Sequence, residues 1–74
     1  PLFSATFDVV TQRVVGEKHL TLQLAREGTI FEAMRFFHLD PLPPRIHVAY
    51  ALMSNEFNGR QSLQLKVVHW EPAE

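Results

Sequence analysis

Over most of this chain apolar residues recur at every second position, the spacing of β-strands whose two faces meet different surroundings. From about Phe3 to Val15, Phe7 and Val9 alternate with Thr6, Asp8 and Val10 in a run rich in β-branched and aromatic residues, which predicts a first strand. Val15-Gly16-Glu17 predicts a turn. From His19 to Arg26 the alternation is the most regular in the chain, with Leu20, Leu22 and Leu24 on one side and His19, Thr21, Gln23 and Ala25 on the other, so the second strand should be buried on one face. Glu27-Gly28 marks another tight turn, and a third strand is expected over Thr29 to Phe37. Phe31 to Phe37 would also satisfy a short helix, but so short a run directly behind a glycine turn favours the strand.

Three prolines within His38-Leu39-Asp40-Pro41-Leu42-Pro43-Pro44 remove amide donors and fix φ, so this stretch is a connecting loop. Beyond it lies the sharpest turn signal of the chain, Asn58-Gly59, two residues that tolerate positive φ as a tight hairpin requires. Ile46, Val48, Tyr50 and Leu52 before it, and Leu63, Leu65 and Val67 after it, each fall two apart and should share one pleated face. The paired strands run from about Arg45 to Asn55 and from Gln61 to Trp70, and the polar tail Glu71-Pro72-Ala73-Glu74 ends the fold.

Three strands joined by tight turns, a longer connection and then a hairpin is the order of an all-β, five-stranded Greek-key barrel of the oligonucleotide-binding (OB) type. In that architecture a helix commonly follows the third strand; here the gap is short and Pro-rich, so the helix is expected to be reduced or absent. Phe36, Phe37, Leu39 and Leu42 are the candidates to plug the open barrel end, while Phe7, Phe36, Tyr50 and Trp70 are assigned to packing.

The 74 residues make one domain, 1–74, of a size that leaves only a small core. The chain begins at Pro1 rather than at a methionine, from which we expect a piece of a longer polypeptide. With no cysteine there is neither a disulfide scaffold nor a thiolate metal site, and no apolar run or leader pattern predicts membrane insertion or export, so the expected location is the cytoplasm. The formal net charge of −1 is not the footprint of a strong autonomous nucleic-acid binder.

Catalytic chemistry is not gathered anywhere along the chain. The four histidines, His19, His38, His47 and His69, show no His-x-x-x-His spacing, and Asp8, Asp40, Glu56 and Glu71 fall in different elements, so no metal or catalytic residues are expected. Binding chemistry is better represented. Arg13, Lys18 and His19 surround the first turn, which in an OB barrel borders the groove for a single strand, and basic side chains there can contact phosphates; the plainer reading is a solvated turn with Glu17 offsetting Lys18. Opposite the core leucines lie Thr21 and Gln23 and, by alternation, Phe31, Arg35 and Phe37, a guanidinium beside rings that could stack on bases. Gln64, Lys66 and Val68 point away from Leu63, Leu65 and Val67, as phosphate or base contacts or as ordinary polar surface. In the hairpin turn Phe57 is the ring expected to be exposed, beside Arg60, while Asn55 and Asn58 are accounted for as turn formers.

Arg13-Val14-Val15-Gly16-Glu17-Lys18-His19-Leu20, Tyr50-Ala51-Leu52 leading into Asn55-Glu56-Phe57-Asn58-Gly59-Arg60, and Ser62-Leu63-Gln64-Leu65 resemble the C-terminal OB domain of the RecJ family of single-stranded-DNA-specific exonucleases. The resemblance spans essentially the whole chain. It implies part of a cytoplasmic bacterial DNA-repair and recombination enzyme of the DHH phosphoesterase superfamily, which digests single strands from the 5′ end with manganese or magnesium held in its other domains. It also implies that this piece holds and guides single-stranded DNA without an active site or cofactor of its own. The matching motif positions are Arg13, Lys18, His19, Asn55, Arg60 and Gln64. The reading is completed by phosphate contacts at Arg13, Lys18, Arg35, Arg60 and Lys66, stacking at Phe57 or Phe31, and amide contacts at Gln64 and Asn55. Expected partners are single-stranded DNA, the catalytic domains of the same chain and a single-strand-binding protein; the alternative is a barrel that serves protein docking alone.

Overall fold

The computed structural model describes residues 1–74, except for the side chain of Phe57. Its strands are β1 (Phe3–Val15), β2 (His19–Arg26), β3 (Thr29–Arg35), β4 (Arg45–Phe57) and β5 (Arg60–Pro72). They close a barrel in the order β1-β2-β3-β5-β4, with β4 returning onto β1 through pairs from Phe3↔Tyr50 to Asp8↔Arg45. Every pairing is antiparallel except β3 with β5, which is parallel and consists of Ala33↔Leu65 and Met34↔Lys66. This is the OB fold that the alternation and turn order predict.

β1 and β2 have the predicted limits. β3 stops at Arg35, short of the expected Phe37, because Phe37 takes a left-handed φ of 55° that no strand continues through. β4 and β5 run further than expected, since the ladder continues to Phe57↔Arg60 and leaves only Asn58 and Gly59 to turn the chain. Their φ values of 52° and 77° are those of the mirror-image turn whose twist matches a hairpin.

The core is Phe7, Leu20, Leu22, Leu24, Ala33, Leu42, Ile46, Val48, Leu65 and Val67, with Ala5, Val9, Tyr50 and Trp70 packed against it. Leu52 and Leu63 share the parity of this face but stand 51% and 68% exposed, because the β4–β5 hairpin outgrows the barrel and carries them past its end. Two bulges set which side chains face in. In β1 the register shifts at Val10, so that Val9 pairs with Leu24 but Gln12 and Val14 pair with Leu22 and Leu20. In β5 the shift falls at Val68, which turns Trp70 inward opposite Val48.

Between β3 and β4, all of whose connecting residues are described, there is no helix. Of the four side chains expected to plug the barrel, Leu42 alone is in the core; Phe36 is half-buried, and Phe37 and Leu39 are exposed. Leu42 is held in place by Gln12, whose amide accepts from Leu42 N–H at 2.7 Å and donates to its carbonyl at 3.0 Å. A neighbouring bond from Val9 N–H to the Pro44 carbonyl, 2.8 Å, ties the end of the loop to the same strand. The Pro-rich segment thus needs no helix, since one side-chain amide satisfies the backbone groups of the residue it inserts.

Leu24 and Leu63 supply a contrast that measures where the core ends. Leu24→Ala, at a site with no exposure, is expected to cost about 2–5 kcal/mol, whereas Leu63→Ala should stay within about 0.5 kcal/mol. Urea unfolding of the two variants followed by Trp70 fluorescence makes the comparison.

Candidate nucleic-acid interface

Side chains that face each other across a ladder lie on the same side of the sheet, so the strand pairing fixes the outer surface of the barrel. One row runs Arg13↔Thr21↔Met34↔Lys66↔Ala51 across all five strands. The next runs Thr11↔Gln23↔Glu32, with the Thr11 hydroxyl donating to Gln23 Oε1 at 3.1 Å. Arg13 and Lys66 therefore flank the β2–β3 surface from opposite sides, three strand steps or about 14 Å apart. On the Arg13 side of this surface a cleft of ≈ 340 Å³ is lined by Thr11, Gln12, Arg13, Thr21, Leu22, Gln23 and Glu32.

The bulge at Val10 is what brings Arg13 here. Unbroken alternation from Phe7 through Val9 would carry Thr11 and Arg13 inward; the extra residue sends both out and Gln12 in, to Leu42.

The two turns in question bracket this surface. β5 runs parallel to β3, so the β4–β5 turn lies at the end where β3 begins, and the β1–β2 turn lies where β3 finishes. Lys18 and His19 stand at one end and Asn55 and Arg60, both exposed, at the other. Gln64, half-buried, has the outward parity of Lys66 and pairs with Met53. The side chain of Phe57 lies outside the described residues.

The placement expected for Phe31 and Arg35 is corrected. Their partners across the ladder are Leu24 and Leu20, so both have the inward parity of the core face, not the outward one expected for them. The sequence of β3 could not show this, because each of its faces mixes apolar residues with one charge: Phe31, Ala33 and Arg35 against Ile30, Glu32 and Met34. Pairing with the regular β2 decides, and it places the small Ala33 at the crowded closure. Phe31 meets Phe7 edge-on at 5.8 Å. Arg35 donates from Nη1 to the Val67 and Val68 carbonyls at 3.2 and 2.7 Å, so its guanidinium serves the β5 bulge.

The remaining cations divide cleanly. Arg26 and Arg45 are paired with Glu27 and Asp8 at 3.4 and 3.7 Å, while Arg13, Lys18, Arg60 and Lys66 have no ion-pair partner among the described residues. A feature not foreseen in the sequence sits beside them. The His19 ring meets Phe36 and Phe37 edge-on at 5.0 and 4.9 Å, and Lys66 Nζ lies 5.8 Å from the centre of the Phe36 ring. Two phenylalanines directly before a Pro-rich loop were the available signal, but plugging the barrel explained them equally well. Among the described residues no group of three or more His, Asp or Glu gathers as a metal site.

Comparison with known proteins agrees with the fold. The RecJ OB domain profile matches residues 1–69. The single-stranded-DNA-specific exonuclease RecJ of Dickeya dadantii is 32% identical over 97% of the chain, and that of Escherichia coli is 35% identical over 88%. The chain spans only 14% and 12% of these relatives. A crystal structure of RecJ in complex with Mg2+ from Thermus thermophilus superposes with a TM-score of 0.78 at 27% identity, over all of this chain and 12% of that one.

Arg35 and Arg13 are predicted to differ in what they support. Arg35→Ala strips donors from two carbonyls at the barrel closure and should cost about 1–3 kcal/mol, against less than about 0.5 kcal/mol for Arg13→Ala. Chemical denaturation of each variant reads the difference directly.

Proposed function

Because the chain belongs to the RecJ OB domain family, we propose that it binds single-stranded DNA across the β2–β3 surface and guides it, as a module of a longer single-strand-specific exonuclease. The observation that carries this reading is the cross-strand row Arg13–Thr21–Met34–Lys66, which sets two cations without ion-pair partners among the described residues on either side of the β2–β3 surface. Lys18 at one end and Arg60 at the other extend the track, and Thr11, Thr21, Gln23 and Gln64 offer donors and acceptors that suit phosphates, sugars or bases without demanding a sequence. Asn55 stands near Arg60, and His19 borders the Lys18 turn.

Cleavage is assigned to residues outside this chain, together with the manganese or magnesium that such chemistry uses. Here the mechanism is positional. Fixed strands hold the cations at set spacings, and a phosphodiester backbone that releases its counterions to them gains affinity without base recognition. Glu32 on the same surface opposes this and, with a net charge of −1, keeps the attraction weak enough for a strand to move.

A second reading is favoured by one further observation. At the β4–β5 end a cleft of ≈ 300 Å³ is lined by Phe7, Ile30, Phe31, Tyr50, Leu52, Leu63 and Leu65 with Arg26 and Glu32 at its border, a mostly apolar surface suited to docking against the catalytic part of the same polypeptide. The two clefts adjoin at Glu32, which lines both.

Fluorescence anisotropy of a labelled oligodeoxythymidylate over a salt series tests the DNA reading. Four phosphate contacts predict a slope of log K against log salt of about −3, and Arg13→Ala with Lys66→Ala should halve it to about −1.4. Glu32→Gln should tighten binding by roughly two- to fivefold. A slope that the double substitution leaves unchanged would remove the proposed track.

A further inference from the structure

Resting on the single-strand reading above, we infer that Phe37 is a stacking shelf for one unpaired nucleobase at the Lys18 end of the β2–β3 surface. Phe37 is 82% exposed, more than any other large apolar residue described. Exposure alone would mean little, but the backbone under it is also held in an unfavourable shape. Among the described residues four non-glycines have positive φ, and three of them, Glu17, Glu27 and Asn58, are polar residues beside a glycine in the tight turns between strands. Phe37 is the exception. A phenylalanine there takes a left-handed φ of 55° with no adjacent glycine, where Asn or Gly would satisfy the same turn with less strain.

The conformation is fixed by His19. Its Nδ1 accepts the Phe37 N–H at 2.9 Å, and its ring is packed edge-on between Phe36 and Phe37. Nδ1 is thus an acceptor, so the neutral imidazole carries its proton on Nε2. The result is a phenyl ring pinned through its own amide and supported from one side, with the rest of its surface open to solvent. Such a ring loses little freedom when a flat partner covers it.

The neighbours identify the partner. Lys66 Nζ lies over Phe36, which packs on the same His19 ring as Phe37, and Lys18 is the residue next to His19 in the chain, so two cationic residues belong to the neighbourhood of the shelf. A planar, apolar-faced group attached to an anion fits this arrangement, and a nucleotide of a single strand is both. Bases inside a duplex are already stacked and cannot use the shelf, which would add selectivity for unpaired DNA over phosphate attraction alone.

The test compares two probes, an oligodeoxythymidylate and an abasic oligonucleotide of equal length, on the wild-type chain and on Phe37→Asn. Asn keeps the left-handed turn, so thermal stability should be unchanged or raised while affinity for the thymidylate falls roughly 5- to 150-fold. Affinity for the abasic probe should stay within about twofold, and Phe37→Trp should retain thymidylate binding. Phe37→Gly serves as a second ringless variant should Asn disturb the fold. Equal loss on both probes, or none on either, overturns the shelf while leaving the DNA reading intact. Failure of the wild-type chain to bind either probe sinks both.

Discussion

The closure between β3 and β5 is the constraint on which the rest of this barrel depends. It has two residue pairs, Ala33↔Leu65 and Met34↔Lys66, where β4 and β5 share a ladder along their whole length. A closed sheet has no free edge to pair with another chain, but parallel strands need a long connection and gain slightly less per residue than antiparallel ones. The structure reinforces the join in two ways. Ala33, fully buried, lets the two strands approach over the core, and Arg35 carries the connection beyond the ladder by donating to the Val67 and Val68 carbonyls. An arginine on the inward face of β3 is tolerated because it sits at the barrel's end, although its Nε is buried without a partner.

Once the barrel is closed, two single-residue bulges decide what each surface carries. The bulge at Val10 puts Arg13 outside and Gln12 inside, which connects the candidate binding face to the anchoring of the loop that replaces a helix. The bulge at Val68 turns Trp70 toward the core and presents the carbonyl that Arg35 uses. Binding surface and barrel integrity are therefore not separable features of this fold. The register shift that exposes the first cation also delivers the amide that seats Leu42 as a plug.

A domain of 74 residues has few large apolar side chains to spare, yet several stand in solvent here. Scattered singly they would need no explanation. Some of them gather: Phe37 beside the half-buried Phe36 and His19 at one end of the β2–β3 surface, and Ile30, Phe31, Leu52 and Leu63 around one cleft at the other. The likeness to the RecJ OB domain, which holds in sequence over residues 1–69 and in backbone over the whole chain, gives these surfaces a setting, since the RecJ relatives are several times longer.

What the sequence by itself determined is whatever depends on neighbours along the chain. The regular leucines of β2, the Asn58-Gly59 turn and the prolines before Arg45 each carry their local conformation in their own residues, so strand order, hairpin and missing helix were legible. The same holds for the motif blocks around Gly16 and Gly59, which identified the family. Tertiary structure decided everything that turns on parity. β3 has charge and apolar residues on both faces, so only its pairing with β2 could assign Ala33 inward and move Phe31 and Arg35 off the surface expected for them. Arg13 reached that surface through a bulge that no local signal announces, Leu42 rather than Phe37 became the plug because Gln12 could satisfy its backbone, and Leu52 and Leu63 lost their core because the hairpin is longer than the barrel. A period of two states which residues share a face, but which face looks inward is set by partners far away in the chain.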